Sequence, residues 1–512
     1  MRPITRALGL ALACVGVVLG GGVTSIQTAG AKPLPTRTIS WNPCPEDATA
    51  ECGTLQLPID YTNPAEEQFD LAVVRRKATD SAERLGSLLV NPGGPGGSGV
   101  DFVLRAKDYF SEDIESRFDI VSWDPRGVAR SKPVMCSREL RENGPTTYPG
   151  NDAEYNALAQ YNQQLLADCR ARSGSIVDHA DTSATVRDMD AIRVALGEKK
   201  ISYYGVAYGT LIGQQYAEQY GDKIRTMVLD SNINHDQTSW PFIASQAHAE
   251  EAAFKAWEAW CERTVSCALH GNDVDKLWRS VLQRADRGEL TDPDDPGRTV
   301  TARYIVNVAF GAFQGPDWPF LAEYVAKLDA QKPAQRRDPA TARQVKDDEV
   351  NDVFQATFCD DWSLPVNGYP DHEDMTGLEN IIAVNMRGGL LGHDWITSCI
   401  GLPTEVNNPQ HRLNITNAPK ILMLNSLYDP ITPHTWALAV QQQTRETTVL
   451  LTYEGGGHGV YGRSECTTAP VDEYLTTLKL PETDRCAAVD PAAPATPGRG
   501  AGTMSKIAGW SR

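Results

Sequence analysis

Residues 201–210 read ISYYGVAYGT, and the fold is decided there. The first part, 201–204, is a short apolar run of the kind that forms a strand buried on both faces. The second part, Gly205-Val206-Ala207-Tyr208-Gly209-Thr210, sets two glycines around one small residue, and Leu211, Ile212, Tyr216 and Tyr220 then recur at helical spacing. A strand that enters a helix through so tight a turn presents its middle residue, Ala207, in a strained conformation at the strand's carboxyl end. The helix that follows aims its N-terminal amides and the positive end of its dipole at that position.

Outward from this turn the same kind of strand recurs. Residues 70–75 (DLAVVR), 87–91 (SLLVN), 118–122 (FDIVS), 224–229 (IRTMVL), 420–424 (KILML) and 447–451 (TTVLL) are short apolar runs. Helical patterns lie between them. One takes Ser183 as its N-cap, buries Val186, Met189, Ile192, Val194 and Leu196, and stops at Gly197. Helix alternating with buried strand means an α/β fold with a mostly parallel sheet covered on both faces. The alternation breaks over 235–419, where helical patterns such as 247–262, two Pro- and charge-rich connectors (292–298 and 331–347) and seven of the 11 tryptophans read as an inserted helical cap. Most of those tryptophans should pack the cap; one or two lining a pocket is the more ambitious reading. The expected organisation is a core from 32–234 and 420–486, the cap between them, and an Ala/Pro/Gly-rich disordered tail at 487–512.

The 512 residues carry 48 Lys+Arg against 66 Asp+Glu, a net charge of -18 that argues against a nucleic-acid partner. A 41% hydrophobic content excludes a chain that stays disordered. Residues 1–31 read as a signal peptide: Arg2 and Arg6, an apolar run over 7–18, then Ala29-Gly30-Ala31 as an A-x-A cleavage site. Cys14 lies too early in the apolar run for a lipid-attachment box, and the two arginines are not adjacent as a twin-arginine signal requires. No later stretch is long and apolar enough for a membrane span, so the expectation is a secreted protein. Without Cys14 ten cysteines remain, at 44, 52, 136, 169, 261, 267, 359, 399, 466 and 486. An even set in an exported chain reads as disulfides, with each cysteine bonded to its neighbour in sequence as the simplest pairing. Their spacing suits no zinc knuckle, and no metal site is expected.

Three further segments complete a candidate site. After the strand at 87–91 comes Asn91-Pro92-Gly93-Gly94-Pro95-Gly96-Gly97-Ser98-Gly99, a loop so poor in side chains that its backbone amides can approach a substrate carbonyl. Gly94 and the amide of Tyr208 are the expected oxyanion-hole donors. Phosphate binding is excluded by the missing Lys-Ser/Thr and by Pro92 and Pro95, which remove donors. Asp429 follows the strand at 420–424 in Asn425-Ser426-Leu427-Tyr428-Asp429-Pro430-Ile431-Thr432-Pro433, and His458 follows the strand at 447–451 in Glu454-Gly455-Gly456-Gly457-His458-Gly459. Turn, then acid, then histidine is the chain order of the α/β-hydrolase triad, whose nucleophile sits at the tip of a G-x-S-x-G elbow. No dinucleotide fingerprint and no H-E-x-x-H pair is present, so no cofactor is expected.

From these motifs, with Trp123-Asp124-Pro125-Arg126-Gly127 and Y-G-x-x-Y-G-T, the chain resembles the tripeptidyl-aminopeptidase branch of the α/β-hydrolases over residues 41–486. These are secreted actinobacterial serine peptidases related to prolyl aminopeptidases. The resemblance implies release of short peptides from free N-termini through an acyl-enzyme, with a cap carboxylate holding the substrate's α-ammonium group. Phe358-Cys359-Asp360-Asp361 matches the family's C-x-D segment, which makes Asp361 the candidate, with Glu250 and Glu251 behind it. Two departures stand out. Ala207 occupies the place of the nucleophilic serine, and Val128-Ala129 follows Asp-Pro-Arg-Gly where the family has x-Gly. Ser98, Ser202 and Ser231 are not at the elbow tip and offer no substitute. Three readings stay open: an aminopeptidase whose serine was replaced to trap substrate, a natural pseudoenzyme that binds peptides or a partner, and an enzyme in which His458, oriented by Asp429, acts as a general base without a covalent intermediate.

Overall fold

The computed structural model describes residues 38–332 and 348–491. Among these lie twelve strands: β1 Asn42–Pro43, β2 Glu51–Pro58, β3 Gln68–Arg76, β4 Gly86–Asn91, β5 Phe118–Trp123, β6 Met135–Ser137, β7 Ile201–Val206, β8 Ile224–Asp230, β9 Glu349–Asn351, β10 Ile421–Tyr428, β11 Thr448–Gly456 and β12 Arg485–Cys486. Ten of them form one sheet in the order β1-β2-β3-β5-β4-β7-β8-β10-β11-β12. From β5 to β12 every neighbouring pair is parallel, and β1, β2 and β3 add antiparallel at one edge. Every residue of β4, β5 and β7 is buried, because helices cover both faces. Tyr203 and Tyr204 show the alternation: Tyr203 joins the layer of Val186, Met189 and Ile212, Tyr204 the layer of Phe102, Phe110 and Tyr461.

The expected strands are present, and two of them run on past their apolar residues. β10 continues to Tyr428 and β11 to Gly456, since Asn425 and Ser426 still pair with Thr452 and Tyr453 in the ladder. The helix expected to start at Ser183 is Thr182–Ala195, and its N-cap is Asp181, whose carboxylate accepts the Ala184 amide at 2.9 Å. Ser183 donates to that same carboxylate instead. Val194, expected inside, is 44% exposed, because it lies two residues past Ile192 and falls off the Val186, Met189, Ile192 stripe.

Between β8 and β10 the chain is mainly helical: Ser239–Arg263, Val274–Asp286, Ala302–Gln314, Trp318–Asp329, Phe354–Asp361, Tyr369–Ile382 and Leu391–Thr397. Trp257, Trp260, Trp278 and Trp318 make one apolar cluster with Phe254 and Phe313. Trp362 and Trp395 pack instead with Tyr208 and Leu211 of the elbow helix. Trp240 is the exposed one of the seven. A second excursion, 135–179, had not been read from the sequence: β6 and the helices Arg138–Glu142 and Asp152–Ser173, tied to this region by the antiparallel β6–β9 pair.

Disulfides join Cys44–Cys52, Cys136–Cys169, Cys261–Cys267, Cys359–Cys399 and Cys466–Cys486, each cysteine with its sequence neighbour. The expected leader at 1–31, the connector over 333–347 and the tail from 492 lie outside the described residues. Residues 487–491, expected with the tail, are held: the Val489 amide donates to the Tyr453 hydroxyl at 3.0 Å, and Asp490 pairs with Arg263. Among the described residues no helix is long and apolar enough to cross a membrane.

Candidate active site

β4, β7, β8, β10 and β11 are neighbours in the sheet and parallel, so the loops at their carboxyl ends meet along one edge. Ala207 stands between β7 and the helix Tyr208–Tyr220 at φ 53° and ψ −119°. That left-handed region costs a residue with a Cβ on the order of 1 kcal/mol or more, and it persists where the surroundings fix it. Here the Ala207 amide donates to Asp230 O at 3.0 Å, and Ala207 O accepts from the Thr210 amide at 2.8 Å and its hydroxyl at 2.6 Å. The glycine after the tip is a close-approach residue, since a Cβ on Gly209 would lie 2.7 Å from Asn91 O.

The glycine-rich loop presses on this turn. Gly93 has φ +84°, and a Cβ there would lie 2.4 Å from Val206 O, 2.9 Å from the Tyr208 amide nitrogen and 3.1 Å from the Ala207 Cβ. Gly93 and the Tyr208 amide are thereby adjacent parts of one backbone surface beside the Ala207 methyl group, and Gly94 is the next residue along the loop. As the first residue of its helix, Tyr208 has no intrahelical acceptor for its N–H. Ser98 serves elsewhere: it caps the helix Gly99–Arg105 and donates to Asp124 at 2.5 Å. Ser202 accepts from Thr226 between strands. At the second departure the backbone keeps the left-handed form that suits glycine, with Ala129 at φ 42°.

Asp429 and His458 meet. His458 Nδ1 lies 3.0 Å from both oxygens of Asp429, and both side chains are buried. Asp429 also accepts from the Ile431 amide at 2.9 Å, the Thr432 amide at 3.0 Å and the Thr432 hydroxyl at 2.9 Å. Burial pushes its carboxyl up, yet the His458 charge and these hydrogen bonds outweigh it and hold Asp429 below the usual carboxylate range. With a carboxylate facing Nδ1, the neutral ring carries its proton there and presents Nε2 as the base. The ring's own loop is fixed through its backbone: the His458 amide donates to Gln314 O at 2.8 Å, and Arg463 donates to His458 O at 2.8 Å.

The three candidate ammonium-binding carboxylates sit differently. Asp361 is fully buried and takes four donors: the Thr182 amide (2.8 Å) and Asn408 Nδ2 (2.8 Å) on one oxygen, the Thr182 hydroxyl (2.7 Å) and Tyr208 Oη (2.7 Å) on the other. Burial and the nearby Asp181 push its pKa up against those bonds. It fastens the elbow residue Tyr208 to the start of the helix Thr182–Ala195. Glu251 accepts from the Asn385 amide and side chain and from the Met386 amide. Among the described residues Glu250 takes only the Leu390 and Leu391 amides, at 3.1 and 3.2 Å, and burial with the nearby Glu379 drives its pKa well up. One turn earlier on the same helix, Gln246 donates to Ile431 O in the Asp429 loop. Among the described residues no group of three or more His, Cys, Asp or Glu side chains is placed to hold a metal ion.

Several site residues had gone unread in the sequence. Thr432 is signalled only by its place in the D-P-I-T turn, and Asp230 by a lone acid ending a buried strand. Gln314 acts through its carbonyl and leaves no side-chain signature.

A family model described as TAP-like protein matches residues 390–487. The tripeptidyl aminopeptidase of Streptomyces coelicolor is 30% identical over 460 residues, covering 86% of this chain and 84% of the relative. Serine protease Hip1 of Mycobacterium tuberculosis is 28% identical and covers 92% of this chain and 94% of its own length. A protein named carboxylesterase B from the same species is 30% identical, with 94% and 98% covered.

Proposed function

Because this chain belongs to the tripeptidyl-aminopeptidase family of α/β-hydrolases, we propose that it binds peptides with free N-termini at a serine-peptidase site whose hydrolytic step is silenced at Ala207. The observation that carries this reading is the elbow tip itself: a methyl group in the strained φ 53° conformation, in a chain whose His458–Asp429 couple is formed. In a serine form, Oγ would attack the scissile carbonyl while His458 Nε2 takes its proton. The oxyanion would lie against the Gly94 and Tyr208 amides, and the departing amine would take the proton from His458. The acyl-enzyme would then be hydrolysed by water with His458 again as base. Alanine has no atom that can form the covalent bond. Loss of such a serine typically lowers turnover by a factor on the order of 10⁶.

For the peptide's ammonium group Glu250 is the best placed of the three carboxylates. Each of its oxygens takes a single backbone amide, whereas Asp361 has its oxygens filled by four donors. A cation there would also relieve the repulsion with Glu379 that raises the Glu250 pKa. The helices between β8 and β10, within 235–419, are read as the cap that brings Glu250 to the Asp429 loop. Five disulfides suit an oxidising compartment, and the protein is assigned to the exterior of the cell.

The test compares the parent with its Ala207→Ser variant on chromogenic tripeptides. The serine variant should cleave them, the parent should not, and the parent should bind the free tripeptide in preference to its N-acetylated form. Absence of turnover in the serine variant, or equal binding of the two peptides, overturns the reading.

A further inference from the structure

The three loops of the site do not touch through their reactive side chains alone. They converge on Asp230-Ser231-Asn232 at the end of β8, the strand between the elbow strand and the acid strand. In the ladder Asp230 pairs with Val206 on one side and Leu424 on the other. Its carbonyl accepts the Ala207 amide at 3.0 Å. Its carboxylate accepts the Val460 amide at 2.8 Å, the Tyr461 amide at 2.9 Å and the Tyr204 hydroxyl at 2.9 Å. Ser231 Oγ accepts the Gly459 amide at 2.8 Å, and its own amide donates to Leu424 O at 2.9 Å. Asn232 completes the set: its amide donates to Asn425 Oδ1 at 2.7 Å, and Asn425 Nδ2 donates to Thr432 O at 3.0 Å, beside Asp429.

Three consecutive residues therefore bond to the elbow, to the three residues after His458 and, through Asn425, to the turn that holds Asp429. Ser231 is the informative one. It is fully buried at φ 63°, a conformation in which glycine would be relaxed and serine is strained. Glycine would fill the backbone requirement and lose the Oγ that receives Gly459.

We propose that Asp230 and Ser231 are positioning residues that fix the height of His458 over residue 207, and that serine is kept at 231, against its backbone preference, for its acceptor oxygen. This deepens the peptidase reading above and rests on it for its kinetic test. Misplacement of a catalytic group by about 1 Å costs on the order of 100-fold in rate.

In the Ala207→Ser background, Ser231→Gly should lower kcat about 10- to 100-fold with KM nearly unchanged, while the melting temperature falls only modestly, because relief of the left-handed strain offsets part of the lost Gly459 hydrogen bond. Asp230→Asn should lower kcat in the same way. A purely structural role gives the opposite pattern for Ser231→Gly: kcat intact. That result overturns the proposal. A second readout uses the parent chain, where no turnover is needed. Ser231→Gly should broaden or shift the low-field Nδ1–H proton resonance of His458, and an unchanged resonance overturns the brace. If Ala207→Ser alone fails to cleave peptides, the peptidase reading falls while this spectroscopic test of the brace still decides it.

Discussion

The carboxyl edge of the sheet and the helical region between β8 and β10 are held by different forces. At the sheet edge the geometry is set by directional bonds to the backbone: Ala207, Gly459, Val460 and Tyr461 donate their amides to the end of β8, and Asp429 is fixed by the Ile431 and Thr432 amides. In the helical region Trp257, Trp260, Trp278 and Trp318 interlock with Phe254 and Phe313, and the buried acid Glu250 accepts from two backbone amides. Hydrogen bonds fall off steeply with angle and distance, so the first region places atoms within tenths of an ångström. Apolar burial follows area and tolerates small shifts, so the second region sets shape and leaves room for adjustment to a substrate. On the proposed function, chemistry falls to the first region and recognition to the second.

The largest effect that would test this division is at Asp429. In the Ala207→Ser enzyme, Asp429→Asn should lower kcat about 10⁴-fold, because an amide facing Nδ1 stabilises the wrong tautomer of His458. KM should move little. A variant that instead raises KM with kcat preserved would place recognition at the sheet edge and break the comparison. Next comes Trp278, fully buried, with its indole N–H donating to Asn385 O at 2.8 Å. Trp278→Ala should cost about 3–5 kcal/mol in denaturant unfolding. In the serine enzyme that retains its fold, the same change should raise KM for tripeptides and leave kcat within a few-fold. A collapse of kcat as deep as that of Asp429→Asn would show that the helical region also sets the catalytic geometry.

The same division explains what the sequence disclosed. Elbow, glycine loop, acid turn and histidine loop are local devices, each written as glycines or a D-P turn at the end of an apolar run, and each was legible as a segment. Burial of the parallel strands was legible for the same reason, since a short continuous apolar run ended by a turn signal has few other uses. What escaped was partnership between distant residues. Asp361 was picked out by its segment alone, and its four donors come from residues 182, 208 and 408, none of which points to it in sequence. The cap at Asp181 was missed because a serine two residues later offered the same chemistry, and only the spacing to the Ala184 amide separates them. Ser231 was weighed as a nucleophile and set aside, while its use as an acceptor for Gly459 depends on β8 and the histidine loop meeting in space.

The smallest effect lies at the joint between the two regions. His235 follows the end of β8 and precedes the helix Ser239–Arg263; its Nε2–H donates to Asp361 O at 2.6 Å, and its ring stands edge-on to Trp362 at 4.5 Å. Burial, with the His411 ring nearby, lowers its pKa to about 4 despite the bond to Asp361 O. The folded chain therefore keeps His235 neutral over a range in which the unfolded chain, near 6.5, binds a proton. That stabilisation is complete above about pH 6.5 and is lost as pH falls toward about 4. At pH 5 the loss from this one ring amounts to about 2 kcal/mol. His235→Gln retains a donor for Asp361 O and cannot titrate, so between pH 7 and pH 5 it should lose about 2 kcal/mol less stability than the parent in denaturant unfolding. If parent and variant lose the same amount, the proton enters the folded joint freely, and the sheet edge and the helical region part there more readily than their packing implies.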